Sequence, residues 1–358
     1  MVKTKIIKID SDKINLRKIR EVAKILKDGG LVAFPTDTVY GLAASSYNKE
    51  AVERLYKIKK RPKDKPFPLQ IDKVDKLSDF GVVLSEDARI LIDRFWPGPL
   101  TLILKTKGSG KIGFRIPDNK IASGILKECG MPLCVPSANF AGETPPIDAK
   151  SVIISFDGLI EAIIDGGRCS GGVESTVCDL TTEPYRILRE GVVTIKQLEE
   201  ALNKKEKFVK VKNILFVCTG NSCRSVMAKG LLEKEKKSPL LSVTSAGTSA
   251  LSGMPPTKET IKVMSKEGID VSKEVSKDVS ESLIKRADLV LVMELKHKQF
   301  LIERFPEYKD KVYLLKEYKN ESKLEDPSIR DPIGQPIEVY EEVLAQIKKE
   351  IKRIKDLI

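Results

Sequence analysis

Ile214-Leu215-Phe216-Val217-Cys218-Thr219-Gly220-Asn221-Ser222-Cys223-Arg224-Ser225 is the stretch on which the reading of the second half of this chain turns. Its four apolar residues predict a buried strand, and a helix is expected straight after Arg224, through Met227, Leu231 and Leu232. The loop between them holds Gly220 and Asn221, the residue types that best tolerate left-handed backbone. A loop of that kind turns successive N–H groups inward as an anion nest, with a helix N-terminus behind it. The same positive potential is expected to lower the pKa of Cys218, so that its thiolate is the nucleophile at neutral pH. Arg224 is suited to holding two phosphoryl oxygens bidentately, and Ser225 to donating a hydrogen bond to the sulfur when it leaves. Thr219, Gly220, Asn221, Ser222 and Cys223 complete the phosphate-binding loop.

Outward from the loop the second half alternates in an α/β manner. A strand is predicted over Leu241 to Ser245 and a helix from Pro256 to Glu267, closed by Gly268. Strands follow at Asp288 to Met293 and Lys311 to Leu315. The last helix starts near Pro336 and carries Tyr340, Leu344, Ile347, Ile351 and Ile354 at helical spacing. Strands separated by helices imply a parallel sheet covered on both faces. Phosphoryl transfer from a substrate also needs an acid to protonate the leaving group. Asp331-Pro332 and Asp326-Pro327 are both placed for it, and both also read as turn or helix-start signals.

The chain is 358 residues long, with 41% apolar and 32% charged side chains, which suits two or three globular domains with full cores. No apolar run approaches the roughly 18 residues of a membrane span, and Met1 to Asp10 lacks an apolar signal core, so a cytoplasmic protein with no membrane contact is expected. Six cysteines, at 129, 134, 169, 178, 218 and 223, include no Cys-x-x-Cys pair, and with His297 as the single histidine no metal site is expected. The net charge of +12 invites contact with RNA. Interspersed Lys and Glu along solvated helix faces produce the same figure. Near Thr194 to Lys212 the composition shifts. A short helix, Ile195 to Leu202, is followed by an exposed connector at Asn203 to Lys207, dividing the chain into residues 1–205 and 211–358.

The first half mixes periods. Strands are predicted at Leu31–Phe34, Leu100–Leu104, Ile112–Ile116, Ile160–Ile164 and Val177–Leu180, with helices at Lys49–Lys60, Ser85–Phe95 and Thr194–Leu202, as in an α/β domain with a twisted mixed sheet. No phosphate-binding Walker loop exists: Gly108-Ser109-Gly110-Lys111 is followed by Ile112 instead of Ser or Thr. Other features point to anions. Residues 57–65 hold six basic side chains, a density that a solvated helix end would also show. Pro35-Thr36-Asp37-Thr38-Val39-Tyr40-Gly41-Leu42, Val135-Pro136-Ser137-Ala138-Asn139, Gly171-Gly172-Val173-Glu174-Ser175-Thr176-Val177 and Ile187-Leu188-Arg189-Glu190-Gly191 add polar turns and a further cation. From the residues alone this is a polyanion pocket on an α/β sheet.

The cysteine loop after a first strand, with an Asp-Pro before the last helix, resembles the low-molecular-weight protein tyrosine phosphatase family over residues 211 to 358. That resemblance selects Asp331 as the acid. It implies a doubly wound four-stranded parallel sheet and a cofactor-free, two-step route through a phosphocysteine, acting on a phosphoprotein. Ser222 stands where tyrosine-directed members carry a bulky aliphatic residue and protein-arginine phosphatases carry threonine, which leans towards phosphoarginine. Cys223 is either a reversible disulfide partner of Cys218 or a small buried residue.

Pro35 to Leu42, Lys59-x-Arg61-Pro62, Phe114-Arg115-x-Pro117, Pro136-Ser137-x-Asn139 and Val173 to Val177, in that order, resemble the threonylcarbamoyl-AMP synthase (YrdC-type) family over roughly residues 10 to 200. The resemblance implies a reaction of L-threonine, bicarbonate and ATP, with Mg²⁺, serving adenosine modification in tRNA and bringing tRNA or tRNA-modification proteins as partners. It assigns Lys59, Arg61, Lys65, Asn139 and Arg189 to ATP, and Thr38, Arg115, Ser137 and Ser175 to threonine. Gln70 departs from the family, many members having histidine there. The expected protein is thus a fusion of two enzymes. Its rivals are an RNA-binding or regulatory module in the first half and a phosphate sensor in the second.

Overall fold

A computed structural model describes residues 2–61, 66–108, 110–140, 143–236, 238–320 and 326–358. The expectations for Pro62 to Lys65, including the ATP assignment of Lys65, and for Ser109 lie outside the described residues. The chain forms two compact units, the first comprising Met1–Ala141 and Pro145–Lys210 and the second Gly142–Thr144 and Val211–Ile358.

The first unit is built on a mixed sheet with eleven strands among the described residues: β1 (Lys5–Lys8), β2 (Val32–Phe34), β3 (Gly41–Ser45), β4 (Leu69–Gln70), β5 (Leu100–Lys105), β6 (Lys111–Arg115), β7 (Leu133–Cys134), β8 (Ala162–Asp165), β9 (Thr176–Asp179), β10 (Tyr185–Arg189) and β11 (Phe208–Lys210). Their order is β1-β8-β2-β3-β7-β4-β6-β5-β9-β10-β11. Parallel and antiparallel pairs are mixed along it; β4 runs parallel to β6, with Gln70 opposite Arg115, whereas β5 runs antiparallel to β6. The five strands read from apolar runs are present. β1, β3, β4, β7, β10 and β11 are not legible at that level, because several are two or three residues long and take their pairing from distant partners. β11 carries this sheet on to Lys210, pairing in parallel with β10.

Helices start where short polar side chains can cap them. Asn48 accepts from the Ala51 amide, Ser85 from Ala88 and Thr194 from Gln197, the last in a reciprocal capping box. Helices Leu16–Lys27, Lys120–Cys129 and Ala149–Phe156, unread from the sequence, cap in the same way on Asn15, Asn119 and Asp148.

The second unit has a four-stranded parallel sheet of β12 (Lys212–Cys218), β13 (Leu241–Gly247), β14 (Leu289–Val292) and β15 (Val312–Leu314), in the order β13-β12-β14-β15. All neighbours run parallel, so β12 sits centrally, with apolar side chains on both faces. One face packs Ile214 and Phe216 against helices Arg224–Glu235 and Ile337–Ile354; the other packs Leu215 and Val217 with Ile284, Leu301 and Phe305. Tyr340, Leu344, Ile347, Ile351 and Ile354 are all buried, as their helical spacing requires. The strand order reverses beside β12, and in such sheets the crevice at the carboxyl ends of the strands is where ligands bind.

Candidate active sites

Cys218 is the last residue of β12 and Arg224 the first of the helix after it, so the cysteine loop spans the crevice just described. Its carbonyls are turned outward and satisfied from the segment after β13: Thr248 N donates to Cys218 O at 2.9 Å, Ser249 N to Thr219 O at 3.0 Å and Thr257 N to Ser222 O at 3.2 Å. The N–H groups of Asn221 and Ser225 point at the Cys218 sulfur. Asn221 adopts the left-handed conformation, with φ of 51°, and its side chain fixes that turn. Its Nδ2 donates to Ser225 Oγ at 2.9 Å and its Oδ1 accepts from Lys277 N at 2.9 Å. Gly247 makes the close approach feasible, since a Cβ there would lie 2.3 Å from Thr219 O.

Cys218 Sγ lies 3.0 Å from Ser225 Oγ. Its pKa corrects the expectation of a lowered value. Burial pushes the thiol up, and that effect outweighs the hydrogen bonds of Ser225, the charge of Arg224 and the two amides, all of which pull it down. Burial likewise raises the thiols of Cys129 and Cys169 to about 11 and that of Cys134 to about 12. Cys223 is buried, its sulfur 3.7 Å from Thr257 Oγ1 and 3.9 Å from Tyr340 OH. Ser222 is half-buried, with Oγ 3.7 Å from Cys223 Sγ.

Arg224 is fully buried and held from two sides. Its Nη1 donates to Glu294 and, at 2.8 Å, to Ile329 O; its Nη2 donates to Asp331 Oδ2; its buried Nε has no partner. The fork is thereby set in orientation by two carboxylates and a carbonyl. Asp326 is engaged locally, accepting from Ser328 N at 2.9 Å, and does not share this cluster.

Glu294 and His297 are members of the site that the sequence reading did not assign. His297, fully buried, accepts from Glu294 N at Nδ1, 3.2 Å away, and so carries its proton on Nε2, 2.9 Å from Thr219 Oγ1. Burial and the neighbouring Arg224 charge lower its pKa to about 4. Burial acts to raise the pKa of Glu294, but the hydrogen bond and charge of Arg224 win and hold it below the usual range. The sequence signal was positional: Glu294 lies two residues beyond the end of β14, at the same carboxyl edge of the sheet as Cys218.

In the first unit the described residues assigned to ATP and threonine fall, Arg61 apart, into three bonded groups. Arg115 ends β6 and donates from Nε to Gly98 O (3.0 Å), from Nη1 to Thr38 Oγ1 (3.0 Å) and from Nη2 to Asp37 Oδ1 (2.5 Å). Arg189 donates to Ser175 O (2.9 Å) and Ser175 Oγ (3.1 Å) and pairs with Glu174 at 2.5 Å, while Ser175 Oγ also meets Thr101 Oγ1 at 3.0 Å. Buried Lys59 reaches the carbonyls of Ser137 (2.5 Å) and Asn139 (2.6 Å) and so ties down the loop that carries both residues. Arg61 donates to Pro66 O at 3.3 Å and lies over the Phe67 ring. Lys111 pairs with Asp179 at 2.7 Å. Among the described residues no group of three or more His, Cys, Asp or Glu side chains is gathered to hold a metal ion, and no helix is long and apolar enough to cross a membrane.

Two family models match the chain: one described as telomere recombination (Sua5, YciO and YrdC) over residues 24–191, the other as low molecular weight phosphotyrosine protein phosphatase over residues 213–357. The Pyrococcus abyssi threonylcarbamoyl-AMP synthase is 39% identical over 202 residues, covering 54% of this chain and 59% of that protein, so the chain spans little more than half the length of that relative. The Ralstonia nicotianae protein named "Probable low molecular weight protein-tyrosine-phosphatase EpsP" is 40% identical over 139 residues, 39% of this chain and 90% of that one. The crystal structure of P. abyssi Sua5 complexed with L-threonine superposes with a TM-score of 0.54 at 28% identity, covering 77% of this chain and 92% of that one. The chain therefore belongs to two families at once, its first unit to the threonylcarbamoyl-AMP synthases of the Sua5/YrdC type and its second to the low-molecular-weight protein tyrosine phosphatases.

Proposed function

We propose that the protein is a bifunctional enzyme whose second unit hydrolyses protein phosphotyrosine or phosphoarginine and whose first unit makes threonylcarbamoyl-AMP. For the second unit the supporting observation is Cys218 Sγ, 3.0 Å from Ser225 Oγ at the floor of an outward-bonded loop, with Arg224 beside it. The incoming phosphoryl oxygens displace Glu294 and Asp331 from Arg224 and take over its N–H groups. Asp331, released, is then the acid that protonates the departing oxygen or nitrogen as the sulfur–phosphorus bond forms. In the second step water attacks the phosphocysteine, Asp331 takes its proton, and Ser225 donates to the departing thiolate. Because burial favours the thiol, the proton of Cys218 passes, as the dianionic substrate arrives, by way of a phosphoryl oxygen to the released Asp331 carboxylate, and this is the proton that Asp331 delivers to the leaving group. The loop amides and Arg224 then stabilise the transferring charge instead of a resting thiolate.

For the first unit, the three groups around Arg115, Arg189 and Lys59 bring the motif residues of the synthase family into one α/β unit. Arg115 and Thr38 receive threonine, Ser137 and Ser175 complete its pocket, and Arg61, Asn139 and Arg189 contact ATP, with Lys59 holding the Ser137–Asn139 loop in place. Holding the carbamate of threonine against the α-phosphorus of ATP supplies much of the acceleration, and the cations neutralise charge as pyrophosphate leaves. Mg²⁺ enters as part of the nucleotide substrate. The product serves adenosine modification in tRNA.

Two assays on the purified chain test this reading. With threonine, bicarbonate and ATP, formation of the adenylated carbamate is expected; its absence refutes the synthase. Parallel assay of phosphotyrosine and phosphoarginine peptides, with Cys218→Ser as control, is expected to show hydrolysis that falls about 10⁴-fold or more in the variant. Unchanged hydrolysis by Cys218→Ser refutes the phosphatase. Ser222 predicts the faster reaction with phosphoarginine.

A further inference from the structure

Among the described residues of the first unit, the buried side-chain oxygens Asp37 Oδ2 and Gln70 Oε1 have no hydrogen-bond partner. Such atoms are rare because each costs the desolvation of a polar group, and their presence in a site calls for an explanation. Both belong to the surroundings of Arg115. Asp37 pairs with it through Oδ1. Gln70 is its register partner across β4 and β6, so the two side chains leave the same face of the sheet. Arg115 itself is incompletely used. A guanidinium has five N–H groups, and the three bonds to Gly98, Thr38 and Asp37 leave one N–H on each terminal nitrogen.

We infer that Asp37 is the residue that recognises the α-ammonium of the amino-acid substrate, through Oδ2, while the two remaining N–H groups of Arg115 take its carboxylate. The inference rests on the synthase reading of this unit and adds to it the origin of selectivity for an amino acid over a plain hydroxy acid. Charge balance supports it. The Arg115–Asp37 pair is neutral and nearly buried, with 7% and 11% of the side chains exposed. A carboxylate alone would add an uncompensated negative charge there, whereas a zwitterion adds none and satisfies both partners. The carboxylate and ammonium of an α-amino acid are separated by one carbon, as the free N–H groups and Oδ2 are separated by one ion pair. Gln70 Oε1 supplies a second acceptor, suited to a side-chain hydroxyl. Asp37 is also held in place by its main chain: its carbonyl accepts from Gly171 N at 3.0 Å, and a Cβ on Gly171 would stand 2.5 Å from that oxygen. The acceptor is therefore preorganised instead of being ordered by the ligand.

The test is calorimetric titration of the full chain, wild type and Asp37→Asn, with L-threonine and with (3R)-3-hydroxybutyrate, which keeps the carboxylate and hydroxyl and lacks the amine. Asparagine preserves the shape and an oxygen for Arg115 while removing the charge. Threonine affinity is expected to fall about 10- to 100-fold, the range for a hydrogen bond to a charged group, while 3-hydroxybutyrate affinity stays level or rises, since its lone carboxylate then balances the charge of Arg115. An equal fall for both ligands overturns the inference, because Asp37 then acts only by holding Arg115; so does an unchanged threonine affinity. If the wild-type chain itself takes up no threonine, the synthase reading fails and the inference with it. Should Asp37→Asn not fold, Asp37→Ser carries the same two-ligand comparison.

Discussion

His297 is expected to stay neutral far below the pH at which an ordinary histidine charges, and the chain offers an unusually direct way to see it. It is the single histidine among 358 residues, so an untagged, ¹³C,¹⁵N-labelled chain gives one imidazole spectrum. Burial and the charge of Arg224 lower its pKa from 6.5 to about 4. At about 1.36 kcal/mol per unit, that displacement corresponds to roughly 3 kcal/mol by which the fold prefers the neutral ring. The cause is structural, since Nδ1 accepts from Glu294 N and protonation there would break that bond beside an arginine. The sign follows from proton counting. Below pH 6.5 the unfolded chain binds a proton that the folded chain does not, so stability is full above about 6.5 and declines as pH falls towards 4. The imidazole resonances should therefore stay constant from pH 8 to about 5.5 and titrate with a midpoint near 4. In His297→Gln the decline in unfolding free energy across that window, followed by exchange of the β12 amides, should be smaller by about 3 kcal/mol. A midpoint between 6 and 7 refutes the reasoning, for it would mean that the ring is either solvated or paired with an anion.

Two further perturbations separate chemistry from scaffolding. Asp331→Asn should lower kcat by about 10²- to 10⁴-fold on phenyl phosphate and much less on dinitrophenyl phosphate, whose leaving group needs no proton; equal losses on the two would remove Asp331 from the acid's role. Lys59→Met leaves the carbonyls of Ser137 and Asn139 without their buried donor and should cost about 1–3 kcal/mol of stability in the first unit. Trp96 is the chain's single tryptophan and lies in that unit's core, so its fluorescence during urea denaturation reads the loss; an unshifted midpoint contradicts a tie-down role.

The chain's local chemistry was enough for the frame of the second unit. Apolar runs long enough to be buried on both faces, punctuated by Gly and Pro, imply parallel strands and covering helices, and β12 to β15 and the terminal helix lie where periodicity puts them. The cysteine loop was legible for the same reason: its nucleophile, cation and turn residues are contiguous, so one strand end and one helix start place them together. In the first unit β4, β7 and β11 are too short to have a period. Their existence depends on pairing with residues 23 to 90 positions away, which only the completed sheet provides.

What only the tertiary structure decided is the balance of forces at each site. The sequence pointed to positive potential at Cys218 but held no measure of its burial, and burial proved the larger effect. Asp331 could be chosen as the acid by resemblance, yet its bond to Arg224 depends on two loops meeting across the sheet. Glu294, His297 and Asp37 are ordinary residues in linear context. They become site residues because folding removes water from around them, and in that setting each charge and each unpaired oxygen has to be answered by a specific neighbour.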